Sequence, residues 1–324
     1  MDWLQILSKY GSIYGLCFAA VAIGIWPLLI VLRRKNILDH PNERSSHIDA
    51  TPRGGGLVVI AVLAATWIWI DFSTPTMIIA TIAVMIAVVS WVDDLRGLSA
   101  LFRLLVQIAA VSITLWFAPF SGEVFQGLLP HSVDIVLSAL AWLWFINLFN
   151  FMDGIDGISG VEALIIGLGV LIIANDPTLP LMAAAVCGVA AGFLVWNWHP
   201  AKIFLGDVGS APLGYMLGWM LLSLAASGYW AAALILPGYY LADATIILIR
   251  RALRGERIWD AHKQHFYQKP VQLGRSHAWV SLIIFGLGSI LIGSALATTS
   301  GYLLEGLLIA AISIICTLGF FAKN

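Results

Sequence analysis

Eleven apolar stretches, each close to the length of a membrane-spanning helix, run along this chain of 324 residues. A helix that crosses a bilayer needs about 20 mainly apolar residues. The stretches cover residues 12–32, 55–71, 76–92, 101–119, 132–149, 159–174, 180–198, 210–226, 229–249, 278–297 and 302–321. Only 11% of the residues are charged, whereas soluble domains carry about 25%. The sequence therefore predicts an all-α, polytopic membrane protein with about eleven transmembrane helices, and it excludes a soluble enzyme.

The basic residues indicate which helix ends face the cytoplasm. Lysine and arginine beside membrane spans are retained on the cytoplasmic side. Sixteen of the seventeen basic residues follow odd-numbered stretches, and only Lys9 lies on the other side. We therefore expect a periplasmic N-terminus, a cytoplasmic C-terminus and a cytoplasmic active face. The connections on that face are named loops 1 to 5, and they cover residues 33–54, 93–100, 150–158, 199–209 and 250–277.

Composition removes several other classes of protein. A formal net charge of −1 offers no basic surface for nucleic acid, so none is expected as a partner. Cys17, Cys187 and Cys316 stand singly inside apolar runs, and neither a zinc cluster nor a disulfide framework fits them. No repeat, low-complexity segment or change of composition divides the chain. Residues 1–324 are therefore expected to form one integral membrane domain.

Aspartates concentrate in loops 2, 3 and 4. The segments are Asp93-Asp94, Asn150-Phe-Met-Asp153-Gly-Ile-Asp156-Gly157 and Gly206-Asp207-Val-Gly209-Ser210. Adjacent carboxylates at a membrane boundary repel each other unless a cation lies between them. In a helix Asp153 and Asp156 would share a face, and glycine-flanked amides beside Asp207 would suit a phosphate. Five carboxylates and one amide without clustered thiolates predict a hard divalent cation, Mg²⁺ or Mn²⁺.

Loops 1 and 5 carry groups that suit anionic or sugar ligands. Loop 1 contains His47 and leads into Arg53-Gly54-Gly55-Gly56, where arginine offers a planar fork to phosphate and glycine lets amides approach an anion. Anchoring by the positive-inside rule explains Arg33, Arg34 and Lys35 better than it explains Arg53.

In loop 5, His262 and His265 are three residues apart and could meet on one helical face. No further ligand of the usual type lies nearby for zinc, which favours hydrogen bonding to a phosphate or sugar, or proton transfer. A bland interfacial loop is the alternative. Asp243, near the end of the ninth stretch, is a second candidate because buried carboxylates in membrane helices are often functional.

Taken in this order, the motifs resemble those of the polyprenyl-phosphate N-acetylhexosamine-1-phosphate transferases. That superfamily includes the phospho-MurNAc-pentapeptide translocase of peptidoglycan synthesis. The resemblance extends from about Asp39 to Gln268. It rests on Pro41-Asn42-x-Arg44-Ser45-Ser46-His47, Thr51-Pro52-Arg53-Gly54-Gly55, Asp93-Asp94 with Arg103 and Gln107, and the motifs of loops 3 and 4.

The resemblance implies transfer of a HexNAc 1-phosphate from a UDP-N-acetylhexosamine to undecaprenyl phosphate in a bacterial inner membrane, releasing UMP. It implies Asn150 and Asp207 as ligands of Mg²⁺ (or Mn²⁺). Four aspartates would be catalytic. Asp93 and Asp94 would orient or deprotonate the lipid phosphate, and Asp153 and Asp156 would support the nucleotide and metal. The residues expected to bind substrate are His47, Arg53, Arg103, Lys202, His262 and His265.

One departure from the peptidoglycan enzyme narrows the expected role. That enzyme has adjacent histidines where this chain reads His262-Lys-Gln-His265-Phe-Tyr-Gln. The form here resembles the branch that initiates O-antigen or related surface polysaccharides, which implies a donor without the pentapeptide. The sequence leaves the sugar open among GlcNAc, GalNAc, QuiNAc and FucNAc, and it is compatible with a homodimer without determining the oligomeric state.

A multi-pass transporter of an anionic or nucleotide-linked solute is the rival from another class. Transporters place polar groups near the bilayer midplane on broken helices of repeated halves. Here the aspartates of loops 2 to 4 lie at span ends on one side, and no internal duplication is evident. The sequence therefore favours the enzyme.

Overall fold

A computed structural model describes residues 3–41, 49–257 and 262–323. Within these ranges the helices are α1 Trp3–Arg34, α2 Gly56–Ile70, α3 Thr74–Arg96, α4 Ala100–Phe117, α5 His131–Phe151, α6 Ile158–Ile173, α7 Leu179–Asn197, α8 Asp207–Leu224, α9 Trp230–Ile235, α10 Gly238–Leu253, α11 Gln268–Gln272, α12 His277–Thr299 and α13 Leu303–Lys323. A π-helical turn, Ala225–Tyr229, joins α8 to α9. Two short strands, β1 Leu38–Asp39 and β2 Thr51–Pro52, pair antiparallel.

The prediction of an all-α polytopic membrane protein is confirmed. Eight helical segments of the described chain are long and apolar enough to cross a membrane. This number is below eleven because α2 and α6 have only 15 and 16 residues, and because the ninth apolar stretch is divided. Pro237 separates α9 from α10, since proline cannot donate the backbone hydrogen bond that would continue the helix.

Helices α7 and α8 form the centre of the bundle. Helices α1 and α6 pack against α7, while α3 and α5 pack against α8. Gly188 and Gly192 of α7 contact the backbone of α1 at Tyr14 and Phe18, because residues without side chains allow membrane helices to approach closely. This core brings the ends of α3, α5 and α8 together, and those ends carry the aspartate motifs.

Ser99 and Gly97 define where the helices near Asp93 begin and end. Ser99 accepts a hydrogen bond from the Phe102 backbone N–H and caps α4, which places Arg103 in the first turns of that helix. Gly97, with a φ of +69°, ends α3 in a backbone region that favours glycine. The tight connection between α3 and α4 holds Asp93 next to Arg103.

Loop 1 is attached to loop 4 through backbone hydrogen bonds. The Phe204 N–H donates to the Pro52 carbonyl, and the Gly54 and Gly55 amides donate to the Phe204 carbonyl. Beyond this bridge Gly56 lies against Gly209, where α2 meets α8 backbone to backbone. The two loops are therefore fixed to each other beside Asp207.

We expect Gly56→Ala to destabilise the fold, because its Cβ would overlap the Gly209 backbone. Separating α2 from α8 should lower the free energy of unfolding by about 1–3 kcal/mol. The matched control is Gly293→Ala in α12, whose Cβ meets nothing within 4 Å. Thermal unfolding in detergent should show a lower melting temperature for Gly56→Ala alone. Equal melting temperatures for the two variants would contradict this account of the contact.

Candidate functional site

The Asp207 carboxylate, at the first residue of α8, lies between two guanidinium groups. Arg53 Nη2 is 2.7 Å from Asp207 Oδ1, and Arg103 Nη1 is 3.2 Å from Asp207 Oδ2. Arg53 comes from loop 1 and Arg103 from α4. Both arginine side chains are 32% exposed and Asp207 is 21% exposed. These charges therefore remain accessible to a ligand.

Each arginine also binds one member of the Asp93-Asp94 pair. Arg53 Nη2 lies 2.7 Å from Asp94 Oδ1, and Arg103 Nη1 lies 2.9 Å from Asp93 Oδ2. The structure thus brings five of the predicted site residues into one ion-pair cluster, drawn from three separate segments of the chain. When all of these groups are ionised, the three carboxylates and two guanidiniums carry one negative charge in excess.

The two neighbouring aspartates differ in environment. Asp94 is only 2% exposed and accepts the backbone N–H groups of Asp207 (3.2 Å) and Val208 (3.0 Å). It therefore caps the N-terminus of α8, where a negative charge is favoured. Asp93 accepts the Leu98 backbone N–H and the Arg103 side chain. Asp94 holds Asp207 in place, whereas Asp93 lies beside the arginine that also reaches Asp207.

The backbone amides predicted to approach an anion are used within the protein. The Gly54, Gly55 and Gly56 amides donate to carbonyls of loop 4, and the first amides of α8 donate to Asp94. The expectation that these glycine-flanked amides bind a phosphate is therefore wrong. The glycines serve close packing between loops 1 and 4, which leaves the arginine side chains as the candidate anion-binding groups.

Loop 3 is a turn and not a helix, so Asp153 and Asp156 do not share a helical face. Helix α5 ends at Phe151, one residue after Asn150, whose Oδ1 accepts a hydrogen bond from Ser210 Oγ of α8. Asp153 accepts the Ser159 hydroxyl at 2.7 Å. Burial raises the pKa of Asp153 to about 6, the Ser159 hydrogen bond opposes that rise, and the charge of Asp207 adds to it.

Asp156 is the centre of a second cluster. His199 Nδ1 lies 2.6 Å from its Oδ2, His277 Nδ1 lies 3.2 Å from its Oδ1, and the Ala201 N–H donates to Oδ2. Burial alone would raise the pKa of Asp156, but the hydrogen bonds from His277, His199 and Ala201 hold that pKa below its usual value. This carboxylate ties loop 3 to loop 4 and to the start of α12.

Two groupings could hold a metal ion, and their donors differ. Asp207 and Asn150 offer oxygen atoms at the mouth of a cavity, which suits Mg²⁺ or Mn²⁺. Asp156, His199 and His277 have ligand atoms within 4.8 Å of one another, and their nitrogen donors suit a borderline metal such as zinc. The oxygen donors of Asp207 and Asn150 suit the predicted hard cation better than the nitrogen donors of His199 and His277 do.

The histidines of loop 5 stack even though this segment is not a helix. The ring centroids of His262 and His265 are 4.8 Å apart, and His265 also stacks with Tyr267 at 5.6 Å. Burial, together with the neighbouring His265 and Arg251, lowers the pKa of His262 to about 4, so this imidazole is neutral at physiological pH. The loop reaches loop 3, because the Tyr267 hydroxyl and the Gln268 amide lie against Gly154.

An apolar cavity of about 890 Å³ begins at the ion-pair cluster and runs between α3, α4 and α5. Arg103, Asn150 and Asp207 lie at its polar end. Most of the remaining lining is aliphatic or aromatic, including Leu104 and Leu140, which are 40% and 56% exposed on the outer surface of the bundle. The cavity is therefore a groove that joins a charged centre to the lipid-facing surface.

The remaining predicted residues lie elsewhere or cannot be placed. Lys202 is exposed, with its ammonium 5.4 Å from the Trp196 ring, and it has no contact with the ion-pair cluster in the described chain. His47 lies outside the described residues. His199 and His277 were not singled out by the sequence analysis. Their positions in loop 4 and at the end of loop 5 could have indicated a shared partner on the same face.

Comparison with known proteins places this geometry in context. Residues 76–225, which contain loops 2, 3 and 4, match the family model described as Glycosyl transferase family 4. The chain is 29% identical to the Bacillus subtilis protein named "Probable undecaprenyl-phosphate N-acetylglucosaminyl 1-phosphate transferase", over 86% of this chain and 82% of that protein. It is also 29% identical to decaprenyl-phosphate N-acetylglucosaminephosphotransferase of Mycolicibacterium smegmatis, over 77% of this chain and 74% of that protein.

A third relative shows the family directly. The chain is 32% identical to phospho-N-acetylmuramoyl-pentapeptide-transferase of Picosynechococcus sp., over 75% of this chain and 72% of that protein. This degree of identity covers most of both chains, and the segment matched by the family model contains Asp93, Asp94, Asn150 and Asp207. The chain therefore belongs to the polyprenyl-phosphate N-acetylhexosamine-1-phosphate transferase family.

Proposed function

We propose that this protein transfers a HexNAc 1-phosphate from a UDP-N-acetylhexosamine to undecaprenyl phosphate, forming undecaprenyl-diphospho-HexNAc and UMP. One observation carries the proposal: the ion-pair cluster opens into an apolar groove on the lipid-facing surface. An amphiphile with a phosphate head and an isoprenoid tail fits such a site. The names of the Bacillus and Mycolicibacterium relatives specify a polyprenyl phosphate and N-acetylglucosamine, which supports this assignment.

The proposed reaction is a direct displacement at phosphorus. An oxygen of the lipid phosphate attacks the phosphorus that carries the sugar, a new P–O bond forms, and the bond to the bridging oxygen breaks. The electron pair of the broken bond leaves with UMP. Three anionic groups meet, so charge neutralisation and positioning dominate the barrier. Arg53 and Arg103 would supply both the charge neutralisation and the positioning by binding phosphate oxygens.

One of the aspartates in the ion-pair cluster would bind the metal, and the others would position the substrate or α8. Asp207 and Asn150 would hold Mg²⁺ or Mn²⁺, which when bound supplies positive charge to the transferred phosphoryl group. Asp93, next to Arg103, would orient the lipid phosphate, which is already largely ionised near neutral pH and needs no strong base. Asp94 would act through α8, since its carboxylate caps the helix that begins with Asp207.

The donor is proposed to bind on the side formed by loops 3 and 5. Asp153 and Asp156 lie in the turn contacted by Tyr267, and the stacked His262 and His265 precede Tyr267 in loop 5. His47 and Lys202 stay predictions for substrate binding. We further propose that the product initiates O-antigen or a related surface polysaccharide, with the site on the cytoplasmic face of the inner membrane. The positions of the basic residues support this orientation.

The proposed reaction can be tested with purified protein in detergent, a labelled UDP-N-acetylhexosamine, undecaprenyl phosphate and Mg²⁺. Label should move into lipid with equimolar UMP, and chelation of the metal should abolish transfer. Asp207→Asn and Asp93→Asn should each lower turnover at least about 100-fold while expression persists, because each removes a charge from the phosphate site. A screen of GlcNAc, GalNAc, QuiNAc and FucNAc donors identifies the sugar.

Uptake of the nucleotide sugar into proteoliposomes without transfer to lipid, for every donor in that screen, would overturn the proposed enzyme in favour of the transporter. Near-wild-type turnover in either aspartate variant would overturn the proposed site.

Narrowing the groove should weaken binding of the lipid acceptor and leave binding of the UDP-sugar donor unchanged. We expect Leu104→Trp to raise the KM for undecaprenyl phosphate about tenfold, equivalent to about 1.4 kcal/mol of binding, with the KM for the UDP-sugar unchanged. A short-chain polyprenyl phosphate should be affected less. Ile312→Trp, on the exposed surface of α13, is the control. Equal effects of the two tryptophans, or an equal effect on both substrates, would exclude the groove as the tail site.

Asp153→Asn should lower the transfer activity and raise the stability of the fold. Above pH 6 the wild-type carboxylate is ionised in both folded and unfolded states, so its raised pKa destabilises the fold there. The amide removes that penalty and can still accept the Ser159 hydroxyl. We expect lower transfer and a stability gain of about 1–3 kcal/mol at pH 8 that disappears as the pH falls from about 6 to about 4. A melting temperature below that of wild type at pH 8 would contradict this.

A further inference from the structure

Asp243 is a fully buried carboxylate for which the proposed chemistry has no role. It lies in α10, its side chain is 0% exposed, and four donors surround it. Its Oδ1 accepts His265 Nδ1–H at 3.0 Å and the Phe266 N–H at 3.1 Å. Its Oδ2 accepts the Tyr239 hydroxyl at 3.0 Å and the Tyr267 N–H at 3.2 Å. Four converging donors match an ionised carboxylate, which only accepts hydrogen bonds.

This contact determines where the proton of His265 lies. Because the carboxylate can only accept, Nδ1 must carry the hydrogen, and in the neutral ring Nε2 is then the acceptor. His262, stacked on His265, has the opposite arrangement. Its Nδ1 accepts the Gln264 backbone N–H, so Nε2 carries the hydrogen and is a donor. In their neutral forms, the two stacked imidazoles would offer one acceptor and one donor side by side.

The same carboxylate holds the part of loop 5 that reaches loop 3. The Phe266 and Tyr267 amides that Asp243 accepts belong to the chain between His265 and Gln268. The Tyr267 hydroxyl and the Gln268 amide contact Gly154, the neighbour of Asp153. One buried charge therefore orders both the imidazole pair and the contact with the turn that contains Asp153 and Asp156.

We propose that Asp243 is a positioning residue for the transfer reaction, acting through His265 by fixing its Nδ1–H tautomer and the position of its ring. The inference rests on the proposed function, because it assigns His265 to the donor side of that site. It concerns a residue that touches no substrate, so its effect on turnover must pass through another side chain. Positioning of this kind orients a ring and fixes its tautomer.

A double-mutant cycle tests the dependence on His265. Asp243→Asn presents an NH₂ group to a site built for four donors, so we expect turnover to fall about 100-fold or more. The turnover of His265→Gln should fall by a similar factor. If Asp243 acts through His265, adding Asp243→Asn to His265→Gln should lower turnover less than about threefold further. Multiplicative losses in the double variant would overturn the proposal.

Tyr239→Phe is the matched control. It removes one donor from the same carboxylate and leaves the contacts with His265, Phe266 and Tyr267. Turnover within about twofold of wild type is expected. A loss as large as that of Asp243→Asn would assign the effect to the stability of the buried cluster and overturn the positioning role.

Nuclear magnetic resonance of ¹⁵N-histidine-labelled protein reads the tautomer without any substrate. The resonances of His265, identified by their loss in His265→Gln, should report an Nδ1–H ring in wild type and a changed tautomer in Asp243→Asn. An Nε2–H ring in wild type would overturn the proposal even if Asp243→Asn fails to fold. Absence of transfer by wild-type protein would instead remove the proposed function, and the tautomer result would stand separately.

Discussion

The pair of ion bridges from Arg53 and Arg103 to Asp207 is the constraint on which the site depends. Three carboxylates at a membrane boundary would repel one another and lose hydration without these cations. Two guanidiniums hold them together and join loop 1, the α3–α4 connection and α8. With all three carboxylates ionised, one negative charge remains in excess and would favour a divalent cation. A bound divalent cation would make the balance positive and favour the phosphates of both proposed substrates.

The carboxylates around this centre fall into two groups that differ in exposure and in function. Asp94, Asp156 and Asp243 are nearly inaccessible and accept several hydrogen bonds each, so they fix α8, loop 3 and loop 5 respectively. Asp207 is more exposed and lies at the mouth of the groove. A site for two large anionic substrates needs both groups, because accessible charges must be held still by others that no ligand reaches.

The sequence predicted the helices and the shared face well, because apolar length and the positions of arginine and lysine depend on the bilayer. The same reasoning brought Asp93, Asp94 and Asp207 to one end of the bundle. It failed where partners come from distant segments. Whether an amide of Gly54 binds a phosphate or the Phe204 carbonyl depends on tertiary contact, and so does the meeting of His199 and His277 at Asp156. The break at Pro237 is a local effect that the length of the apolar stretch did not reveal.

We expect a divalent cation to bind at Asp207 and Asn150. Electron paramagnetic resonance of Mn²⁺ added to the purified protein measures this without substrate. We expect one bound Mn²⁺ that Mg²⁺ displaces, that Asp207→Asn abolishes and that His199→Gln leaves intact. Mn²⁺ that persists in Asp207→Asn and disappears in His199→Gln would instead place the metal at the Asp156 cluster and overturn the assignment to Asp207.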